Sequence, residues 1–382
     1  MRKNLSLYIH IPYCSSKCNY CNFVSKVGSD SEKFRYIENL KKEIKLRAKE
    51  YNSYYSIVSI YIGGGTPSSM PIGTIKDILQ TVYKFFTVKN DAEITMELNP
   101  NSVSNEKINE YIMSGVNRFS IGLQCVDASV LKNMGRTHTV NDFDNCISLI
   151  RENGISNISA DIMLGYPGQS LNAVKNTVMH LIELNIPHVS SYMLSVEDGT
   201  PLQFLVDKGV KFLPNEKTII NMYQTTAKLL TEHGYYRYEI SNFAKAGFMC
   251  KHNLVYWKRE DYLGVGVAAH SYISGVRFAN VEDTIKYCSC LETQNKPPVS
   301  YAKELTKEEK KEEFVMLSLR TSAGLDTDKY LKEFNENFLS KYKDKLASYI
   351  KLGLLIIDKE GHVKCTSNGF MVLNKLVLEL CT

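Results

Sequence analysis

From its first residues, the chain alternates short β-branched or apolar runs with longer segments of helical period. That pattern predicts repeated β/α units around a parallel sheet. Six strands are predicted, over 5–11, 57–62, 93–98, 117–123, 158–164 and 188–194. Helical patterns lie between them, such as 32–50, where Phe34, Ile37, Ile44 and Ala48 share one face, and 171–184. The unit length is that of a barrel, and six units rather than eight predict an α/β fold built as a partial (β/α)6 barrel. An open doubly wound sheet is the alternative.

The chemically unusual residues fall immediately after the strands. They are a cysteine loop after Ile11, Gly63-Gly64-Gly65-Thr66-Pro67, Glu97-Leu98-Asn99-Pro100, Gly122-Leu123-Gln124-Cys125, Asp161 with Gly165-Tyr166-Pro167-Gly168, and Ser195-Val196-Glu197. In parallel β/α folds, ligands bind at this edge, because each loop adds a group to a common rim. Turn chemistry alone accounts for the glycines and prolines but not for the cysteines or Glu97.

Beyond residue 200 the pattern changes. An amphipathic helix over 216–233 leads into Gly234-Tyr235-Tyr236-Arg237-Tyr238-Glu239, then His252-Asn253-Leu254-Val255-Tyr256-Trp257, then a Gly-rich strand pair over 262–278. These segments are expected to extend the sheet or to cover the barrel mouth. The charged run 307–313 opens a helical region ending in Gly361-His362-Val363-Lys364, which reads as helices plus a small hairpin of winged-helix kind. The predicted organisation is a barrel over 1–200, an extension over 201–300 and a C-terminal α+β domain over 301–382.

Composition narrows the class. The chain has 382 residues, 44% of them hydrophobic, enough for a substantial core. Its ten cysteines are unevenly spaced and no apolar leader run precedes the first strand, so a reducing cytoplasm is expected, where clustered thiols more often bind metal than pair. The 46 basic and 41 acidic residues are mixed along the chain, with no basic stripe of interleaved aromatics, which disfavours a nucleic-acid partner.

In Pro12-Tyr13-Cys14-Ser15-Ser16-Lys17-Cys18-Asn19-Tyr20-Cys21, three thiols sit close enough in one loop to clamp a single polynuclear centre. A cubane iron-sulfur cluster takes Cys thiolates, and a set of three leaves one iron with an open position. Structural zinc needs a second ligand pair, for which only Cys288-Ser289-Cys290 or Cys250 with His252 are imaginable. The remaining cysteines, Cys125, Cys146, Cys365 and Cys381, read as packing or surface residues.

The CxxxCxxC loop after a first strand, followed by a glycine-rich second loop, resembles the radical S-adenosylmethionine (SAM) superfamily. The string Leu7-Tyr8-Ile9-His10-Ile11-Pro12-Tyr13-Cys14, with Gly63 to Pro67, Gly122-Leu123-Gln124, Asp161 to Gly168 and His252 to Trp257, narrows the likeness. It resembles the oxygen-independent coproporphyrinogen III oxidases and, more specifically, the related heme chaperones. The resemblance implies a radical SAM barrel in which Cys14, Cys18 and Cys21 hold a 4Fe-4S cluster whose open iron takes SAM. It further implies that Tyr8 and Tyr20 line the cluster and SAM pocket, that Gly64, Gly65 and Thr66 meet the SAM amino group and backbone, and that Glu97 hydrogen-bonds SAM. Gln124, Arg136 and Asp161 match positions that contact a second SAM in the oxidases, and Ser195 matches another rim position.

Two departures separate the chain from the oxidases. Cys21 is followed by Asn22-Phe23-Val24 rather than a further cysteine, and the first strand begins near residue 5, without the long preceding segment that encloses porphyrinogen. Both argue against decarboxylation of coproporphyrinogen propionates, the competing enzyme reading. The element from His252 to Trp257 is typical of the chaperone branch, where it is associated with heme. His252 offers an imidazole for heme iron, and Tyr256 and Trp257 offer flat apolar faces to a porphyrin. The expected function is therefore a carrier that passes heme to an acceptor, such as a respiratory hemoprotein, with weak membrane association left open. His10, His180 and His188 are expected to be structural hydrogen-bonders.

Overall fold

A computed structural model describes residues 2–381. Strands β1 (Lys3–Ile11), β2 (Tyr55–Gly64), β3 (Val88–Leu98), β4 (Arg118–Gln124), β5 (Ile158–Leu164) and β6 (His188–Met193) lie in sequential order and pair in parallel. The six predicted strands are thus present, with ends moved by a few residues. Helices that include Asp30–Tyr51, Thr74–Phe85, Val140–Glu152 and Leu171–Glu183 connect them. Each strand is two-faced because side chains alternate along it. On β1, Leu5, Leu7, Ile9 and Ile11 are fully buried in the main hydrophobic core. The alternate residues Ser6, Tyr8 and His10 carry polar groups to the other face, as do Ser59 and Tyr61 on β2, Glu93, Thr95 and Glu97 on β3, and Ser120 on β4. The barrel interior is consequently a polar column rather than an aliphatic one.

The helix Asp30–Tyr51 starts with a capping box in which Ser29 and Glu32 exchange hydrogen bonds, satisfying two otherwise free N–H groups. It buries Tyr36, Ile37, Leu40, Ile44 and Ala48. Phe34, expected on that face, is 69% exposed, because the buried arc centres on Leu40, Ile44 and Arg47 and Phe34 lies beyond its edge.

The middle of the chain extends both edges of the sheet. Strands β7 (Tyr236–Arg237) and β8 (Asn242–Ala244) add antiparallel to β6. At the opposite edge β9 (Tyr262–Val265) pairs in parallel with β1, followed outward by β10 (His270–Ile273), β11 (Val276–Asn280) and β12 (Val299–Glu304). The segment from His252 to Trp257 neither extends the sheet nor covers the mouth. It forms the short helix Lys251–Trp257, docked at the end of the barrel where the strands begin. There the Glu93 carboxylate accepts from the backbone N–H of Lys251 (3.0 Å) and of His252 (3.1 Å), and from the Cys250 thiol (3.3 Å). A carboxylate at the start of a helix takes up N–H groups that have no partner within it.

From Thr306 onward the chain builds its own core around Phe314, Leu325, Tyr330, Phe338, Leu355 and Leu376. Its small sheet has the order β13 (Leu325–Asp326), β15 (His362–Cys365) and β14 (Leu355–Ile357), and the helices Lys307–Ser318, Thr327–Phe334 and Lys343–Lys351 pack around it. Helices plus a β14–β15 hairpin are the winged-helix-like arrangement expected. No helix among the described residues is long and apolar enough to cross a membrane.

Candidate functional site at the barrel mouth

The cysteine loop leaves β1 at Ile11 and is pinned on several sides by backbone hydrogen bonds. Cys14 N–H donates to Lys26 O (3.0 Å), Gly65 N–H to Ile11 O (2.8 Å) and Thr66 N–H to Tyr13 O (2.8 Å). Asn19 N–H donates to Met134 O (3.1 Å), and Leu202 N–H to Asn19 O (2.9 Å). A loop tied this way holds its three thiols in place before any ligand arrives, so little ordering is left to the binding step. Cys14, Cys18 and Cys21 all open onto one cavity of about 340 Å³ at the C-terminal ends of the strands.

Tyr20, Gly64, Gly65, Thr66, Glu97, Gln124, Arg136, Asp161 and Ser195 line the same cavity. Tyr8 does not. It sits one layer deeper, beside Tyr61, and its hydroxyl donates to His10 Nδ1 (3.0 Å) while His10 Nε2–H donates to Val24 O (2.8 Å). Its part is to fix His10 under the glycine loop, and His10 is the structural hydrogen-bonder expected. His188, bonded to Ser159 and Tyr238, and His180, bonded to Asp144, are likewise structural.

The glycine loop shows why this wall needs no side chain. A Cβ on Gly65 would lie 2.7 Å from Tyr13 O and 3.0 Å from Cys14 Sγ, closer than atoms pack. Glycine at this position lets the second loop pack directly against the backbone that carries the Cys14 thiol. Gln124 follows a bulge between β4 and β5 and adopts φ +67°, a left-handed conformation that non-glycine residues rarely take. Such strain at a cavity wall aims a side chain where a regular strand could not.

Acids set the electrostatics. Glu97 Oε1 accepts from Tyr61 Oη (2.9 Å), and Oε2 accepts from Gly64 N–H (3.1 Å). Burial, with the nearby Asp161 carboxylate adding to it, pushes the Glu97 pKa up to about 7. Asp161 is also raised by burial, although Ser120 Oγ donates to it at 3.1 Å. Two carboxylates in one pocket cannot both ionise cheaply, which suits the site to a cationic or hydrogen-bond-donating ligand.

Tyr61, Ser120 and Tyr192 also line the cavity and were not singled out from the sequence. Tyr61 and Ser120 each stand two residues before a residue of a flagged loop, Gly63 and Gly122, so the strand period would have shown that they share its face.

His252, Tyr256 and Trp257 are not brought to this cavity. His252 is buried in the barrel base, with Nδ1 bonded to Ser59 Oγ (2.9 Å) and Nε2 to Tyr256 Oη (2.9 Å), and its ring 5.3 Å from that of Tyr61. Burial, with Arg118 nearby, pushes its pKa down to about 3, so the imidazole is neutral. The imagined Cys250–His252 zinc pair is not formed, since Cys250 faces Glu93 and the His252 ring is occupied.

A three-thiol loop backed by glycine and facing a carboxylate pocket at the strand ends is a donor set that fits a cluster with one open iron. The radical SAM superfamily matches residues 8–181, and the HemN C-terminal domain matches 305–372. The chain is 32% identical to the heme chaperone HemW of Lactococcus lactis over 98% of this chain and 97% of that protein. With the HemW of Bacillus subtilis it shares 33% identity over 97% of both. This chain belongs to the HemW family. Zebrafish radical S-adenosyl methionine domain-containing protein 1, a mitochondrial relative, is 31% identical over 97% of this chain and 86% of its own. The fold is that of Escherichia coli coproporphyrinogen III oxidase, matched with a TM-score of 0.87 over 100% of this chain and 91% of that one, at 23% identity. As a HemW-family radical SAM protein, the chain takes a 4Fe-4S cluster and SAM as its cofactors.

Proposed function

We propose that this chain is a heme chaperone, which binds heme and hands it to an acceptor protein while carrying a cluster and SAM at its barrel mouth. The observation that carries this reading is the likeness, over nearly the full length of both chains, to relatives named heme chaperones. In the site, Cys14, Cys18 and Cys21 are the cluster ligands. When bound and reduced, the cluster supplies the electron that can cleave SAM.

The chain's own residues bind and orient around that centre. Gly64, Gly65 and Thr66 give the SAM amino-acid end a backbone wall. Glu97, held by Tyr61 and Gly64, keeps its proton near neutral pH or accepts a hydrogen bond from SAM, according to what faces it. Asp161, Gln124, Arg136 and Ser195 line the same cavity.

His252, Tyr256 and Trp257 are the heme contacts in this reading. Because both imidazole nitrogens are engaged in the barrel base, iron ligation by His252 requires the helix Lys251–Trp257 to leave Glu93 and Ser59. An anaerobic heme titration followed at the Soret band, for the wild-type protein and His252→Ala, tests this. Saturable binding weakened at least tenfold by the substitution is expected. Absence of saturable binding by the wild type would remove the chaperone reading and return attention to a decarboxylation assay.

A further inference from the structure

The Arg136 guanidinium has a neighbour that a SAM contact does not explain. Its Nη1–H points at Cys18 Sγ (3.6 Å), while Nη2–H donates to Gly122 O (2.9 Å) and Nε–H to His138 Nδ1 (3.3 Å). His138 is itself buried, and its Nε2–H donates to Leu123 O (3.1 Å), which fixes the tautomer that leaves Nδ1 free to accept. Each nitrogen of the guanidinium is thus directed, two toward a clamp built from β4 and His138 and one toward the thiol. The clamp is tight. A Cβ on Gly122 would lie 3.0 Å from Arg136 Nη2 and 2.8 Å from Gln124 Nε2.

A fixed cation that donates to a ligand sulfur acts on the cluster and not only on SAM, because hydrogen bonds to the sulfurs and local charge set cluster potentials. We infer that Arg136, held by His138 and Gly122, raises the reduction potential of the cluster through Cys18. One electron from an external low-potential donor takes the cluster to its reduced form and adds one negative charge, which the guanidinium stabilises. Removing that charge must therefore lower the potential. His138 is a positioning residue in this scheme, acting only through Arg136, and the sequence offered no signal for it beyond its spacing of two from the arginine.

The inference rests on Cys18 being a cluster ligand and is independent of heme. The test is an EPR-monitored redox titration of the full chain, reconstituted anaerobically with iron and sulfide, without heme and both with and without SAM. Arg136→Gln is expected to lower the reduced-to-oxidised ratio at a fixed potential about tenfold, which is 59 mV for a one-electron couple. Arg136→Lys should fall between it and the wild type, since it keeps the charge but loses the fork. His138→Ala should reproduce part of the shift. His138→Asn, whose side-chain oxygen can replace Nδ1 as acceptor, should restore it. An unchanged midpoint in Arg136→Gln, or in Arg136→Lys and His138→Ala should the glutamine variant not retain its cluster, with iron content equal to wild type, overturns the inference. A shift seen only with SAM present also overturns it, because the arginine would then act on SAM alone. Failure of the wild-type protein to load any iron would instead refute the cluster assignment.

Discussion

At the residue scale, the mouth is governed by what cannot be present as much as by what is. Gly65→Ala would place a methyl against Tyr13 O and the Cys14 thiol, and the loop has no slack to yield because Gly65 N–H and Thr66 N–H are both tied to it. The expected outcome is a protein that folds but binds cluster poorly, read as iron and sulfide per chain below half the wild-type value. Glu97 supports a second prediction, with a definite sign. Its folded pKa of about 7 lies above the ordinary carboxylate value of 4.5, so its burial costs stability progressively from about pH 4.5 to pH 7. Against Glu97→Gln, which does not titrate, the wild-type apoprotein should lose melting temperature over that interval, and the difference should level off above it. A difference flat with pH would contradict the assignment.

The residues of the cluster loop were legible because their signal is local, three thiols within eight positions. Tyr8 shows the limit of that reasoning. Its position in the motif marks it for the pocket, yet its inward direction on β1 puts it a layer below, where it serves His10.

At the element scale, the six β/α units were readable because period 2 and period 3.6 differ sharply over windows of this length. The segment from His252 to Trp257 was not, because a short aromatic run fits strand and helix equally. What decides it is long-range: Glu93, about 160 positions earlier in the chain, captures the free N–H groups at the start of that helix. Glu93→Ala should therefore loosen the whole base helix. Two backbone donors and the Cys250 thiol would lose their acceptor, and the buried Arg118 would lose a nearby counter-charge, a loss of about 2–4 kcal/mol. Urea unfolding checks the magnitude, and faster amide exchange at His252 and Leu254 checks the location.

At the scale of the whole molecule, the sheet is extended beyond its six parallel strands through pairings that no local pattern announces, such as β9 lying parallel to β1 across some 250 residues. This arrangement separates two specialised regions. The thiol and carboxylate pocket sits where the strands end, and the histidine-bearing helix sits where they begin, with Tyr61 touching both, through Glu97 above and the His252 ring below. A carrier built this way should hold its cluster and its heme at once, since they do not compete for the same groups.

The most direct measurement of that claim is a heme titration of cluster-loaded protein under anaerobic conditions, with iron and sulfide assayed in the same samples. The expected result is a Soret signal that saturates at about one heme per chain while the cluster content stays constant. Heme uptake that displaces the cluster, or that never saturates, would contradict it.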